Sequence, residues 1–238
     1  MATWISHLMI ADNLLIRGLN LDKKGFCVGN IAPDCNVENE DWTSFTPSRE
    51  VTHWMKGQSK LTSDYEDFYK KYIKDESFTS NEQYSFLLGY YSHLITDVEF
   101  QRFIRDEHRV KNTYDRIKTN GDLREKVIGY SEDFDTLKKI FEKNRVFYDI
   151  KVQETNYLKS NPTSGYNTVL QNLEEFPDYL DFFPQGAIIR KIRIMANKPD
   201  NDSSEYEFLF FSKQEFEEFI YETSNMVYRL IKDKISGQ

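Results

Sequence analysis

The stretch from 81 to 105, NEQYSFLLGYYSHLITDVEFQRFIR, constrains this chain more than any other. Its periodicity predicts a long helix on which Phe86, Gly89, Tyr90, His93, Asp97, Phe100 and Ile104 share one face. That face is apolar apart from His93 and Asp97, so it points into a core. A carboxylate aimed at an apolar core is costly unless it is hydrogen-bonded, ion-paired or metal-bound. Gly89, one turn before His93, leaves room for another segment to come close. His-x-x-x-Asp on a helix offers two ligands to one cation, and imidazole and carboxylate both suit zinc. The expectation is a mostly α-helical protein built round a metal-bearing helix.

The rest of the chain supplies further helices. Residues 4–18 read as a helix with His7, Ile10, Ala11, Leu14 and Gly18 on one face. GFCVGNIAPD, 25–34, reads as a Gly/Pro-marked loop, with Asp34 directly after Pro33. Pro47 opens a short helix through His53 to Met55, with Thr46 as its cap. Helices are expected over 64–74, 131–158 and about 166–176, with a turn at Asn120-Gly121. The C-terminal third reads differently. Ile188 to Met195 and Glu205 to Phe211 flank the turn-rich NKPDNDSS and predict a small β-hairpin. Ser212 and Glu215 then form a capping box that opens a helix to about Ile235. The whole chain, 1–238, is expected to be a single domain, with 186–238 contributing the hairpin and the terminal helix.

Composition excludes several classes. A chain of 238 residues buries enough surface to fold without a disulfide or a metal. Its 18 Phe and 15 Tyr exclude a disordered chain. With 39 acidic and 31 basic residues it carries a net charge of -8, which lacks the electrostatic footprint of a nucleic-acid binder. No run of 18 apolar residues occurs, so no transmembrane helix is expected. The opening MATWISHLMIADNLLIRGL has no basic region, and His7 and Asp12 interrupt its apolar stretch. That argues against a secretory signal and for a cytoplasmic location. Cys27 and Cys35 are then reduced, buried apolar residues rather than a redox pair.

The four histidines are His7, His53, His93 and His108. A single histidine is more often a satisfied core or surface residue than a ligand, and His108, in RDEHRV, reads first as a solvated helix end. Asp34 after proline reads first as a turn residue. What raises a metal site above these readings is that His7, His93 and Asp97 all fall on inward faces. The adjacent His-Asp of the HD-type phosphohydrolases does not occur here.

S-H-L-x-I-A, then G-N-I-A-P-D, then T-H-W, then F-L-L-G-Y-Y-S-H-L-I-T-D follow one another in this order. In that combination the chain resembles the zinc-dependent phospholipase C family, which shares its fold with the single-strand-specific zinc nucleases. The resemblance is clear over about 1–105 and thins afterwards. It implies a multi-helix domain with a metal cluster in a cleft. It also implies that Asp34, His53, His93 and Asp97 hold one zinc, and that Asp97 bridges to a further zinc which His7 helps to bind. Asp34 matches the carboxylate proposed as general base.

Two departures stand out. The three-metal members begin at a mature N-terminal Trp whose amine binds metal, whereas Trp4 here follows three residues. Those members also supply later histidines, and this chain has none after His108. His108 is a candidate late ligand, at a longer spacing from Asp97; other late ligands would be carboxylates such as Asp106, Asp178, Asp181, Glu218 or Glu222. The resemblance implies one to three zinc ions, with iron, nickel or manganese as substitutes at N/O ligands. The implied activity is hydrolysis of a small-molecule or lipid-headgroup phosphoester. The alternative is a degenerate member that keeps a structural metal and a binding or scaffolding role.

Overall fold

Two glycines on facing helices decide how this chain is assembled. In the computed structural model, which describes residues 2–41, 43–196 and 207–236, the chain begins with helices α1 (Trp4–Leu15) and α2 (Lys23–Gly29). A 3-10 turn (Ala32–Asp34), the two-residue strands β1 (Val37–Glu38) and β2 (Phe45–Thr46), helix α3 (Arg49–Thr52) and a second 3-10 turn (Lys60–Thr62) follow. Then come α4 (Tyr65–Tyr72), α5 (Asn81–Arg105), α6 (Glu107–Thr119), α7 (Arg124–Val127), α8 (Phe134–Ile140), α9 (Lys143–Val146) and α10 (Tyr148–Ser160). The last elements are α11 (Gly165–Thr168), a 3-10 turn (Leu170–Asn172), α12 (Ala187–Met195) and α13 (Lys213–Ser236). β1 and β2 pair antiparallel, Val37 opposite Thr46, and are the only strands among the described residues.

Helix α5 is the axis of the fold. Ser80 caps it by accepting the Gln83 N–H at 3.1 Å, and it spans the residues expected of it. From Ser85 to Val98 every residue is buried, on all sides and not on one face only. The helices α1, α2, α4, α6 and α13 and the first two 3-10 turns all pack on it. Each enclosed Leu, Ile or Phe contributes roughly 1.5–3 kcal/mol by leaving water.

The α2–α5 crossing brings backbone against backbone. A Cβ placed on Gly89 would sit 2.3 Å from the Phe26 carbonyl oxygen, and one on Gly29 would sit 2.0 Å from that of Phe86. The expected loop over 25–34 is therefore a helix followed by a 3-10 turn. Asp22 starts the helix by accepting the Gly25 N–H at 2.7 Å. Its glycines serve close packing rather than chain reversal.

The expected C-terminal hairpin is corrected to a helix. Arg190 and Ile194 are exposed while Ile188, Lys191 and Ile192 are buried. That spacing is helical; a strand would have buried alternate residues. Gly186, in the left-handed region, precedes α12, and Arg190 and Lys191 both reach Glu38. Of the second expected strand, Glu205 and the residue after it lie outside the described residues, as does the intervening NKPDNDSS. The remainder, to Phe211, is irregular. Asp149 anchors it by accepting the Phe210 and Phe211 N–H groups at 2.6 and 2.9 Å. The terminal helix α13 does open on the expected box, Glu215 N–H to Ser212 Oγ at 3.2 Å and Ser212 N–H to Glu215 Oε2 at 2.7 Å. Smaller differences lie elsewhere. Residues 131–158 form three helices, α8 to α10, rather than one, and Ser48 rather than Thr46 precedes α3.

Because Asp149 is fully buried, Asp149→Ala strands two backbone donors. The expected loss is about 2–3 kcal/mol of unfolding free energy, read from urea denaturation.

Candidate metal centre

Four stretches of chain converge on one buried cluster. His7 comes from α1, Asp34 closes the first 3-10 turn, His53 ends α3, and His93 and Asp97 stand one turn apart on α5. The ligand atoms of His7, His93 and Asp97 lie within 4.8 Å of one another, and so do those of Asp34, His53 and His93. Asp97 stands between the two groups. Its Oδ1 is 3.8 Å from His7 Nε2, and its Oδ2 is 3.2 Å from His93 Nε2 and 3.5 Å from His53 Nε2. His53 Nε2 is 3.1 Å from Asp34 Oδ1. The His7 and His93 rings stack at 3.8 Å between centroids.

The surroundings aim these groups. His93 Nδ1–H donates to the Asn30 carbonyl at 2.7 Å, so its Nε2 lone pair faces the cluster. Asn30 is the residue that ends α2, which ties the glycine-mediated crossing directly to the site. His53 is held in the same way, Nδ1–H to the Arg49 carbonyl at 3.2 Å. The start of α1 is fixed by the buried Glu154 of α10, which accepts the Ser6 N–H at 3.0 Å and the Ser6 hydroxyl at 2.6 Å.

Charge and protonation suit a cation. Burial, and then the neighbouring His93, holds His7 well below the usual histidine range, so it is neutral and has a lone pair to give. Burial and the Lys60 ammonium lower His53 likewise. Burial alone would raise the carboxyls of Asp34 and Asp97. Lys60 and the surrounding histidines outweigh it and hold both well below the usual carboxylate range. Among the described residues, His7 Nδ1 and Nε2, His93 Nε2 and Asp97 Oδ1 are buried without a hydrogen-bond partner. Buried polar atoms are nearly always paired, and His7, His93 and Asp97 each bring such an unpaired atom to within 4.8 Å of the others, which fits a metal ion. Asp34 is the most exposed of the cluster, its side chain 11% accessible, and marks its mouth.

Sequence reading missed Lys60. It is buried, its ammonium donates to His53 Nε2 at 2.7 Å and to Asp97 Oδ2, and it lies 3.6 Å from Asp34 Oδ1. A lysine in the polar run KGQSK reads as solvated, and nothing local marks it as buried.

The structure does not bring His108 to this cluster. It is exposed on α6, next to Asn112, and lines a separate cavity of about 910 Å³ together with Asp106, Glu218 and Glu222. Asp178 accepts the Gly186 N–H, and Asp181 lines a second groove beside Trp54 and Phe182. Among the described residues, the deeply buried carboxylates of the second half are instead Asp149, which accepts two backbone N–H groups, and Glu154, which accepts one.

A family model described as zinc dependent phospholipase C matches residues 6–232. Among curated proteins and solved structures, none matches the chain. No helix among the described residues is long and apolar enough to cross a membrane.

Proposed function

The chain belongs to the zinc-dependent phospholipase C family, and on that premise we propose that it is a metal-dependent phosphoester hydrolase, most simply of phosphodiesters. The observation that carries this reading is the cluster of buried, unpartnered ligand atoms on His7, His93 and Asp97. The proposed ligands are the two groups His7–His93–Asp97 and Asp34–His53–His93, with zinc as the first candidate. When bound, zinc supplies Lewis acidity and draws the pKa of a coordinated water down towards ~7.

The chain's own residues do the rest. Asp34, ionised and nearest to solvent, takes the proton from the attacking water. His93 and His53 keep their Nε2 atoms inward because Asn30 and Arg49 carbonyls hold their other nitrogens. The Lys60 ammonium offsets negative charge beside Asp34, where a phosphoryl group would enter. A small soluble or lipid-headgroup phosphoester fits the net charge of -8 better than a polynucleotide does. A cytoplasmic location belongs to the same proposal, supported by two buried thiols that are not disulfide-bonded.

A second reading, a non-catalytic member that keeps its metal for structure, is favoured by the ammonium of Lys60 among the ligands. One experiment separates the two. Protein dialysed against a chelator is assayed on bis-p-nitrophenyl phosphate and on phosphatidylcholine vesicles, then reloaded with zinc. The expected result is hydrolysis that disappears on chelation and returns with zinc. Metal that binds and stabilises the chain without turnover on any phosphoester selects the structural reading.

A further inference from the structure

We propose that Lys60 is a built-in cation that fills the Asp34–His53–Asp97 side of the centre, so that each chain holds one divalent metal, on the His7–His93–Asp97 side. This rests on the metal-centre reading above and says how its residues divide: His93, common to both ligand groups, has one free nitrogen, Nε2, which goes to the His7 side, while Lys60 lies against His53, Asp34 and Asp97 Oδ2.

The two sides differ in what their lone pairs already do. With Nδ1–H given to the Arg49 carbonyl, His53 keeps only its Nε2 lone pair, and Lys60 Nζ donates to it at 2.7 Å. Asp97 Oδ2 also receives Lys60, and Asp34 Oδ1 lies 3.6 Å from the same ammonium. A metal ion on this side would need those same lone pairs. On the other side, His7 Nε2, His93 Nε2 and Asp97 Oδ1 accept no hydrogen bond among the described residues. One side is therefore engaged by an ammonium and the other is open.

Lys60 is held where it is. Its backbone lies in a loop fastened by Ser63 Oγ–H to the His53 carbonyl at 2.6 Å, Asp64 N–H to the Trp54 carbonyl at 2.8 Å and Lys56 N–H to the Thr62 carbonyl at 3.1 Å. This loop packs on α5. The side chain is only 8% accessible, so swinging the ammonium out would break up a buried arrangement.

Charge agrees. Two carboxylates and one ammonium leave a single net negative charge in the buried centre. One divalent ion turns that into a single positive charge, the complement of a phosphodiester anion. Two divalent ions beside Lys60 would pile up three positive charges in a space with little water, which is strongly unfavourable.

The test is zinc stoichiometry on the full-length chain, by elemental analysis and titration calorimetry after chelation and reloading, for wild type, Lys60→Met and Lys60→Gln. Wild type is expected to bind one zinc, and both variants two, because the substitution releases the second group of lone pairs. His53→Ala is expected to keep the single zinc, whereas His7→Ala loses it. Electron paramagnetic resonance of manganese-loaded wild type gives a readout that needs no variant to fold. Isolated ions are expected; an exchange-coupled pair, as two ions about 3.5–4 Å apart produce, overturns the proposal. Two zincs in wild type, or one zinc in both folded Lys60 variants, also overturns it while leaving the metal centre standing. No zinc in any form overturns the metal centre itself.

Discussion

Asp97→Asn is expected to yield a folded protein that has lost both its metal and its hydrolytic activity. The substitution keeps the shape of the side chain and removes its charge, so packing round α5 is preserved while the proposed central ligand is lost. Asp97 lies against all three buried histidines of the cluster and against Lys60. Oδ1 faces His7 at 3.8 Å, and Oδ2 faces His93 at 3.2 Å, His53 at 3.5 Å and the ammonium of Lys60. An amide presents one neutral oxygen and one NH2 group, and the NH2 repels any cation placed there. Metal-borne catalysis of this kind supplies several kcal/mol of transition-state stabilisation, so the proposed phosphodiesterase rate is expected to fall by about 10³-fold or more. His93→Ala gives the same paired loss, since His93 belongs to both ligand groups. The check is elemental analysis and rate on the same preparations, with far-UV circular dichroism to confirm the helices. Full activity in a metal-free variant would falsify the assignment of the chemistry to this cluster.

Gly89→Ala is the second large effect, and it works at a distance from the ligands. A methyl group there must fit where the Phe26 carbonyl oxygen stands 2.3 Å away, and that neighbour is backbone, which has no rotamer to change. The α2–α5 crossing has to open, and overpacking of a rigid core costs about 3 kcal/mol. The site feels the same movement. Asn30, at the end of α2, carries the carbonyl that fixes His93 at 2.7 Å. Losing that hold is expected to lower metal affinity by roughly 10–100-fold. Gly121→Ala is the control, because nothing lies within 4 Å of the added Cβ and its stability stays within about 0.5 kcal/mol of wild type. Urea denaturation and metal titration of the two variants check both statements. A Gly89→Ala protein as stable as wild type would refute the backbone contact.

These results separate what is written locally from what is not. Helix α5 was legible end to end, because its length and its apolar periodicity are local properties of one segment. The burial of His7, His93 and Asp97 was legible as well, because each lies in a mostly apolar helical segment, although α5 is enclosed on every side from Ser85 to Val98 and not only on the face that periodicity marks. The capping box at Ser212 and Glu215 is local as well, and both of its hydrogen bonds are present.

The misread segments are those whose local signal admits two answers. IIRKIRIM satisfies both periods well enough that only burial decides, and burial comes from the neighbours α12 finds when the chain closes. Gly25 and Gly29 read as turn signals until a second helix arrives to use the missing Cβ atoms. Lys60 is the extreme case. Its residue type, its polar flanks and its position in a loop all indicate solvent, yet its ammonium ends among two carboxylates and a histidine. The sequence by itself determined a helical protein with a histidine and an aspartate turned into its core, because hydrophobic period and capping act over a few residues. Only the tertiary structure decided that a lysine shares that core with them. An ion cluster of this kind is set by distances between segments far apart in the chain, and no local rule encodes those distances.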